Sequence, residues 1–261
     1  MKSRNDKVKI LGTDRVQRPS NDWSATVHLL LAHIRRQGFR NGPEPLVLDD
    51  EYEILSLVHG DTFNYPLIGA VATETALISA ARLLRAFHDC SKDFLAAHRE
   101  YKLTWMLPEQ HPEEVICHGD FAPYNVALSD NNVVGVFDFD AAHPGPVIWD
   151  IAYAVYCWAP FKTDPVDALG SLDQQIERAG LFCRVYGLSP SAYPQLVKTI
   201  VKRLEALVAF MVSQAEQGDP QFQDNLDCGH HLGYLNDIDY LNNHEHQIIT
   251  MLMNLSTRSE A

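Results

Sequence analysis

Apolar and polar positions change their period several times along the chain, and each change marks an element. Residues 7–18 (KVKILGTDRVQR) hold two short apolar runs on either side of Gly12-Thr13-Asp14, which predicts two strands joined by a turn. Pro19 followed by Ser20, Asn21 and Asp22 marks a loop and a helix cap. From Trp23 the apolar positions Val27, Leu30, Leu31 and Ile34 recur at spacings of three and four, so a helix runs to Gly38. Leu46-Val47-Leu48, the turn Asp49-Asp50 and Ile54-Leu55-Ser56-Leu57-Val58 predict a second hairpin, closed by His59-Gly60-Asp61, where a hinge is placed.

Past the hinge the pattern lengthens. Residues 68–88 put Leu77, Ala80, Ala81, Leu84 and Phe87 on one helical face, and three more helices are predicted after residue 147. Between Val115 and Asp140 lies an exception: Val126-Ala127-Leu128 and residues 133–137 flank Ser129-Asp130-Asn131-Asn132 as a small hairpin. The order predicts an α+β chain with a small strand-rich lobe over residues 1–60 and a larger, mainly helical lobe over 61–261, with a cleft implied between them.

Composition narrows the class. At 261 residues, 46% hydrophobic and 21% charged, the chain is globular, which excludes disorder and collagen. Thirty-four acidic against 21 basic side chains give a net charge of −13, a field that repels nucleic acid and anionic lipid and favours cationic small molecules. Cys90, Cys117, Cys157, Cys183 and Cys228 are far apart with no CxxC pair, so neither a disulfide framework nor structural zinc is indicated. The first ten residues are charged, and no stretch reaches the ~20 apolar residues of a membrane span. A cytoplasmic protein is expected.

The chemistry concentrates in residues 115–153. Asp138, flanked by Val134, Val136, Phe137 and Phe139, reads as a carboxylate in an apolar strand, where burial is costly unless a cation or hydrogen-bond donors compensate it, as Mg2+ would. Pairing of 126–128 with 133–137 brings Asn125 near it, and a carboxylate with one neutral oxygen is a typical partial shell for Mg2+. Asp120, five residues before Asn125, is the candidate base. His118-Gly119-Asp120-Phe121-Ala122-Pro123-Tyr124-Asn125 resembles the HxDxxxxN catalytic loop of kinase-like phosphotransferases, in the aminoglycoside phosphotransferase and choline kinase branch. Phe137-Asp138-Phe139-Asp140 resembles that branch's counterpart of the kinase DFG segment, and Trp149-Asp150-Ile151-Ala152 its Asp-Leu-Ala helix start. HxDxxxxN alone would arise by accident in roughly 3% of chains this long, so the accompanying aspartates and lobe order carry the weight. The resemblance implies a two-lobed protein-kinase-like fold in which Asp120 orients or deprotonates a hydroxyl, Asn125 and Asp138 hold Mg2+, and His118 and Asp150 support the loop.

The nucleotide side departs from the pattern. No GxGxxG or Walker sequence is present, Gly12 reads as a plain turn glycine, and only Met1–Asp6 precede the first hairpin, so the glycine-bearing cover of the phosphates is expected to be missing. Gln17 or Arg18 stands where the phosphate-pairing lysine is expected, and Arg18 is preferred, its bidentate head being a tolerable replacement. The first helix, SATVHLLLAHIRRQGF, carries no acid to partner it; His28 lies on that face and reads more simply as a partly exposed histidine. Leu57 and Val58 offer main-chain groups to an adenine edge. Between Arg203 and Arg258 there is no lysine or arginine, while Glu205, Glu216, Asp219, Asp224, Asp227, Asp237, Asp239 and Glu245 fall there. This reads either as an acidic wall for a cationic acceptor or as a solvated surface. The expected activity is transfer of the γ-phosphate of ATP or GTP, with Mg2+, to a hydroxyl of a small and cationic acceptor. The alternative is a degenerate kinase-like binding or immunity protein, since the most similar short subgroup includes names linked to trifolitoxin immunity.

Overall fold

The computed structural model describes residues 8–257; residues 1–7 and 258–261, where the expected first strand begins and the two expected lobes start and end, lie outside it. Both predicted N-terminal hairpins form, although the last strand of the second runs over Tyr52–Ser56 and leaves Leu57 and Val58 outside it. β1 (Lys9–Leu11) and β2 (Arg15–Pro19) flank the Gly12 turn, α1 (Ser24–Arg36) follows, and β3 (Pro45–Leu48) and β4 (Tyr52–Ser56) form the second hairpin. One antiparallel sheet results, in the order β1-β2-β4-β3, and its register sets Arg18 directly opposite Glu53. α1 buries Val27, Leu30, Leu31 and Ile34, the stripe read from the spacing.

α2 (Glu74–Ser91) begins six residues later than predicted. Thr73 caps it by accepting the Ala76 N–H at 3.2 Å, and residues 69–72 form a separate 3-10 turn. Leu77, Ala80, Ala81, Leu84 and Phe87 are fully buried along its inner face, each large one contributing about 2 kcal/mol. The short α3 (Phe94–Ala97) follows.

Two strand pairings bracket the predicted chemistry. β5 (Val115–Cys117) is followed by the hairpin of β6 (Val126–Ser129) and β7 (Asn132–Val136), and then by β8 (His143–Gly145). β6 pairs with β7 so that Val126 faces Val136, and β5 pairs with β8 so that Cys117 faces His143. Loop residues 118–125 and 137–142 are thereby fixed side by side at both ends. The β5–β8 pairing was not predicted.

Among the described residues five α-helices, not three, follow residue 146: α4 (Val147–Trp158), α5 (Leu172–Tyr186), α6 (Tyr193–Glu216), α7 (Pro220–Asp227) and α8 (His230–Thr257). The extra breaks are chemical. Gly187 ends α5 before Pro190, Gly218-Asp219-Pro220 ends α6 and caps α7, and Gly229 separates α7 from α8. No helix among the described residues is long and apolar enough to cross a membrane.

The chain divides into two compact units: the described residues up to Asn64 with Gly69–Asp150, and Tyr65–Ile68 with the described residues from Ile151 on. In the second, Ile176, Phe182, Leu196, Ile200, Leu204 and Leu241 are buried. In the first, Gly135 of β7 is pressed so closely that a Cβ would lie 2.4 Å from Val58 Cγ1 and 3.0 Å from the Asn41 carbonyl oxygen. Gly135→Ala is therefore expected to destabilise by about 1–3 kcal/mol through overpacking, read as a lower urea midpoint with unchanged slope.

Candidate active site

The predicted loop is organised from behind by one buried carboxylate. Asp150, in the first turn of α4, has no solvent exposure; Oδ2 accepts the His118 N–H at 2.7 Å and Oδ1 the Gly119 N–H at 2.9 Å. His88 of α2 donates from Nε2 to Oδ2 at 2.9 Å. Burial alone would push this carboxyl up, but the His88 hydrogen bond and charge, His118 and the Gly119 N–H outweigh it and hold its pKa at about 2. Gly119 is required by shape: its φ is +80°, and a Cβ there would lie 2.1 Å from the Ala141 carbonyl oxygen.

His118 ties the two loops together. Its Nδ1 accepts the Asp120 N–H at 3.3 Å, which places the ring proton on Nε2, and that proton is donated to the Phe137 carbonyl at 3.1 Å. The ring is fully buried against Phe87, Phe121 and Phe139, and burial lowers its pKa, so it is a neutral spacer.

Asp120 is held through both carboxylate oxygens. Tyr124 donates its hydroxyl to Oδ1 at 2.7 Å, and Asn125 Nδ2 donates to Oδ2 at 2.8 Å and to the Asp120 carbonyl at 3.0 Å. With its amide hydrogens on Asp120, Asn125 has its side-chain Oδ1 left for a cation. The Phe137 N–H donates to the Asn125 carbonyl at 2.9 Å, which keeps the start of β6 beside the residue before Asp138.

Asp138 differs from expectation. Its side chain is 48% exposed, not enclosed in an apolar strand. β7 ends at Val136, and Asp138 adopts φ 62°, ψ 67°, the left-handed region, which takes its side chain off the strand's inner face. The acids beside it are the half-buried Asp140, 17% exposed, and the fully buried Glu53. Arg18 joins all three: Nε donates to Glu53 at 2.8 Å, Nη1 to Asp138 at 3.3 Å and Nη2 to Asp140 at 2.5 Å. Burial works against the guanidinium's charge, but Asp140, Glu53 and Asp138 outweigh it and raise the Arg18 pKa. Asp140 is itself raised, by burial first, with Asp138 and Glu53 nearby, despite Arg18. Three carboxylates around one guanidinium leave excess negative charge, and that donor chemistry fits a hard divalent cation at Asp138 and Asn125.

Comparison with known proteins gives the family of the chain. Residues 81–184 match the family model described as APH, Phosphotransferase enzyme family. The trifolitoxin immunity protein of Rhizobium leguminosarum bv. trifolii is 31% identical over 206 residues, covering 71% of this chain and 76% of that protein. The chain belongs to the aminoglycoside phosphotransferase and choline kinase-like family. Its kinase-like fold is shared with a choline/ethanolamine kinase family protein from Mesorhizobium loti (TM-score 0.60, 13% identity, 94% of this chain and 88% of that one). It is shared too with choline kinase LicA from Streptococcus pneumoniae (TM-score 0.57, 11% identity, 93% and 92%).

In this phosphotransferase-family chain, the acid sought on the first helix stands on a strand. Glu53 of β4 pairs with Arg18 across the sheet and also accepts from His28 Nε2 of α1 at 2.8 Å and from the Ser24 hydroxyl at 3.3 Å. His28 is thus part of the cluster rather than a bystander. Glu53 was missed, although its phase with buried Leu55 in the alternating β4 put an acid on the inner face. His88 was missed too; it continues the buried α2 stripe four residues after Leu84. Tyr124 gave no signal beyond its place in the motif. Leu57 donates its N–H to the Asp14 carbonyl at 2.7 Å, which occupies one of the main-chain groups expected to be open at the end of β4.

Asp150 has its pKa below the ordinary 3.8, so the unfolded chain takes up this proton first as pH falls. Its contribution is complete above about pH 4 and lost between about pH 4 and pH 2, a swing of about 2 kcal/mol. Urea denaturation across that range is expected to show a steeper acid loss in the native protein than in Asp150→Asn. That variant is expected to be about 3 kcal/mol less stable at pH 7. Parallel acid profiles would contradict the brace.

Proposed function

We propose that this protein is a Mg2+-dependent kinase that moves the γ-phosphate of ATP or GTP to a hydroxyl of a small cationic acceptor, such as an amino sugar or amino alcohol. Residues 1–60 serve as the nucleotide lobe and 61–261 as the catalytic and acceptor lobe. The observation that carries this reading is the fixed Asp120 carboxylate, held by Tyr124 and Asn125, on a loop that His118 ties to the residue before Asp138. Asp120 orients the acceptor hydroxyl and takes its proton as the oxygen bonds to the γ-phosphorus and the β–γ bridging bond breaks, releasing nucleoside diphosphate. Asn125 Oδ1 and Asp138 would hold the cation, which when bound would neutralise phosphate charge. Arg18 faces the phosphates from β2. Its contact with Asp138 is the longest of its three, and it is the one that yields when the site fills.

The net charge of −13 supports a cationic acceptor. Most of the acidic window supports only a solvated surface, since Glu205, Glu216, Asp224, Asp227 and Asp239 are exposed and Asp219 caps α7. The second reading, an immunity protein that binds nucleotide without turnover, is favoured by the likeness to the trifolitoxin immunity protein.

Calorimetric titration with MgATP and MgGTP, followed by a phosphate-transfer assay over amino sugars and cationic alcohols, separates the two. Binding of a nucleotide and turnover of at least one cationic acceptor are expected. Asp120→Ala is expected to lower kcat about 10²–10⁴-fold. Asp138→Asn keeps a side chain suited to the left-handed backbone and is expected to weaken Mg2+-dependent nucleotide binding. Binding without transfer to any acceptor would favour the immunity reading, and no binding of either nucleotide would remove both.

A further inference from the structure

A base accepts a hydrogen bond from the hydroxyl that it deprotonates. Asp120 already accepts one of that kind, from its own loop. The Tyr124 hydroxyl donates to Oδ1 at 2.7 Å, while Asn125 Nδ2 donates to Oδ2 at 2.8 Å. An alcohol placed for phosphate transfer would make the contact with the carboxylate that Tyr124 makes here. The phenol thus imitates an acceptor hydroxyl, and it is bound to the base before any acceptor arrives.

The loop builds this contact locally. The Ala122 N–H donates to the Asp120 carbonyl at 2.9 Å and the Asn125 N–H to the Ala122 carbonyl at 3.0 Å, and the 3-10 turn Pro123–Asn125 folds residue 124 back over residue 120. Phe121, Ala122 and Pro123 have no side-chain donor, so within residues 121–125 only Tyr124 and Asn125 can reach the carboxylate through their side chains. They approach from different sides. Phe121, Ala122, Pro123 and Asn125 are buried, whereas Tyr124, like Asp120, is half-buried. Asn125 meets the base from the interior and Tyr124 from the side that solvent reaches. Loss of the Asn125 contact would unseat the base; loss of the Tyr124 hydroxyl would uncover it.

The difference matters because water competes with every acceptor. At an open base a water oxygen bonds to the γ-phosphorus, the β–γ bridging bond breaks, nucleoside diphosphate leaves, and the water proton passes to the carboxylate, giving inorganic phosphate. A phenol suits the task of preventing this. It keeps its proton to about pH 10, so at neutral pH it is a donor and a poor nucleophile, and it covers the base without consuming nucleotide. We infer that Tyr124 is a gating residue: without an acceptor its hydroxyl holds the acceptor's place on Asp120 Oδ1 and denies that oxygen to water, and the acceptor hydroxyl displaces it. The inference rests on the phosphate transfer proposed above and adds to it a means of telling an acceptor from water. An acceptor held by further contacts replaces the tyrosine bond in kind, whereas a lone water has nothing to set against a tethered phenol.

The test is hydrolysis of MgATP and MgGTP without acceptor, read as inorganic phosphate, by the native protein, by Tyr124→Phe, and by Tyr124→Phe combined with Asp120→Asn. Tyr124→Phe keeps the ring and removes only the hydroxyl. It is expected to raise kcat for hydrolysis about 10-fold or more, a part of the about 10²–10⁴-fold that a placed base supplies. The calorimetric Kd for nucleotide is expected to stay within about twofold of the native value, since the change acts on the base and not on binding. Adding Asp120→Asn is expected to remove the rise. A residue that only supported the loop would lower hydrolysis when its bond is lost, so an unchanged or reduced rate would overturn the inference. So would a rise that survives Asp120→Asn, because the water would then be activated elsewhere. If Tyr124→Phe does not fold, Tyr124→Leu, which also lacks the hydroxyl, gives the same reading. Phosphate transfer by the native protein separates the two claims: with transfer present and hydrolysis not raised, only the gate falls, and with no nucleotide bound by any form, the phosphate-transfer reading falls and the gate with it.

Discussion

The arrangement of the site depends on Asp150 and the two consecutive backbone N–H groups it accepts. A carboxylate without solvent is costly unless its oxygens are satisfied, and here His118 N–H, Gly119 N–H and His88 Nε2–H satisfy them. Because both N–H groups belong to neighbouring residues, the carboxylate fixes the direction of the chain there, and the next residue is Asp120. Gly119 makes this geometry attainable, since its positive φ and close approach to Ala141 leave no room for a side chain.

From that anchor, position passes outward through neutral and charged contacts of different character. The His118 ring, neutral and buried, sets the distance between the Asp120 backbone and the Phe137 carbonyl, and so between the two acidic segments. Beyond it the contacts become ionic: Arg18 gathers Glu53, Asp138 and Asp140 from β4 and from the segment after β7. The inner part is stabilised by hydrogen bonds that burial strengthens, whereas the outer part carries excess negative charge and an exposed Asp138. Rigidity behind and unbalanced charge in front suit a site that receives a cation and phosphates.

Much of this was legible before any coordinates. Short apolar runs between turn residues located both N-terminal hairpins and the β6–β7 hairpin, and the resemblance of residues 118–125, 137–140 and 149–152 to kinase-like motifs singled out His118, Asp120, Asn125, Asp138 and Asp150. What escaped were interactions between segments distant in sequence. β5 and β8 are three residues each, too short for alternation to register, yet their pairing closes the loop pair. Glu53 was sought on α1 by resemblance, while its phase in β4 pointed inward. Asp138 was read as buried because its neighbours are apolar, but the strand stops two residues earlier and the left-handed backbone reverses that inference. The rings of Tyr65, Tyr156 and Tyr234, from positions up to 169 apart, lie around Lys162 Nζ, and only the fold brings them there.

The central claim is that Asn125 and Asp138 are the protein's hold on a nucleotide-bound divalent ion in front of Asp120. A crystal structure of the protein grown with Mg2+ and a non-hydrolysable ATP analogue tests it most directly. The account predicts an ion about 2.0–2.1 Å from Asn125 Oδ1 and from an Asp138 oxygen, with Arg18 Nη1 released from Asp138. An analogue bound with its ion on other residues, and Arg18 still joined to Asp138, would contradict it.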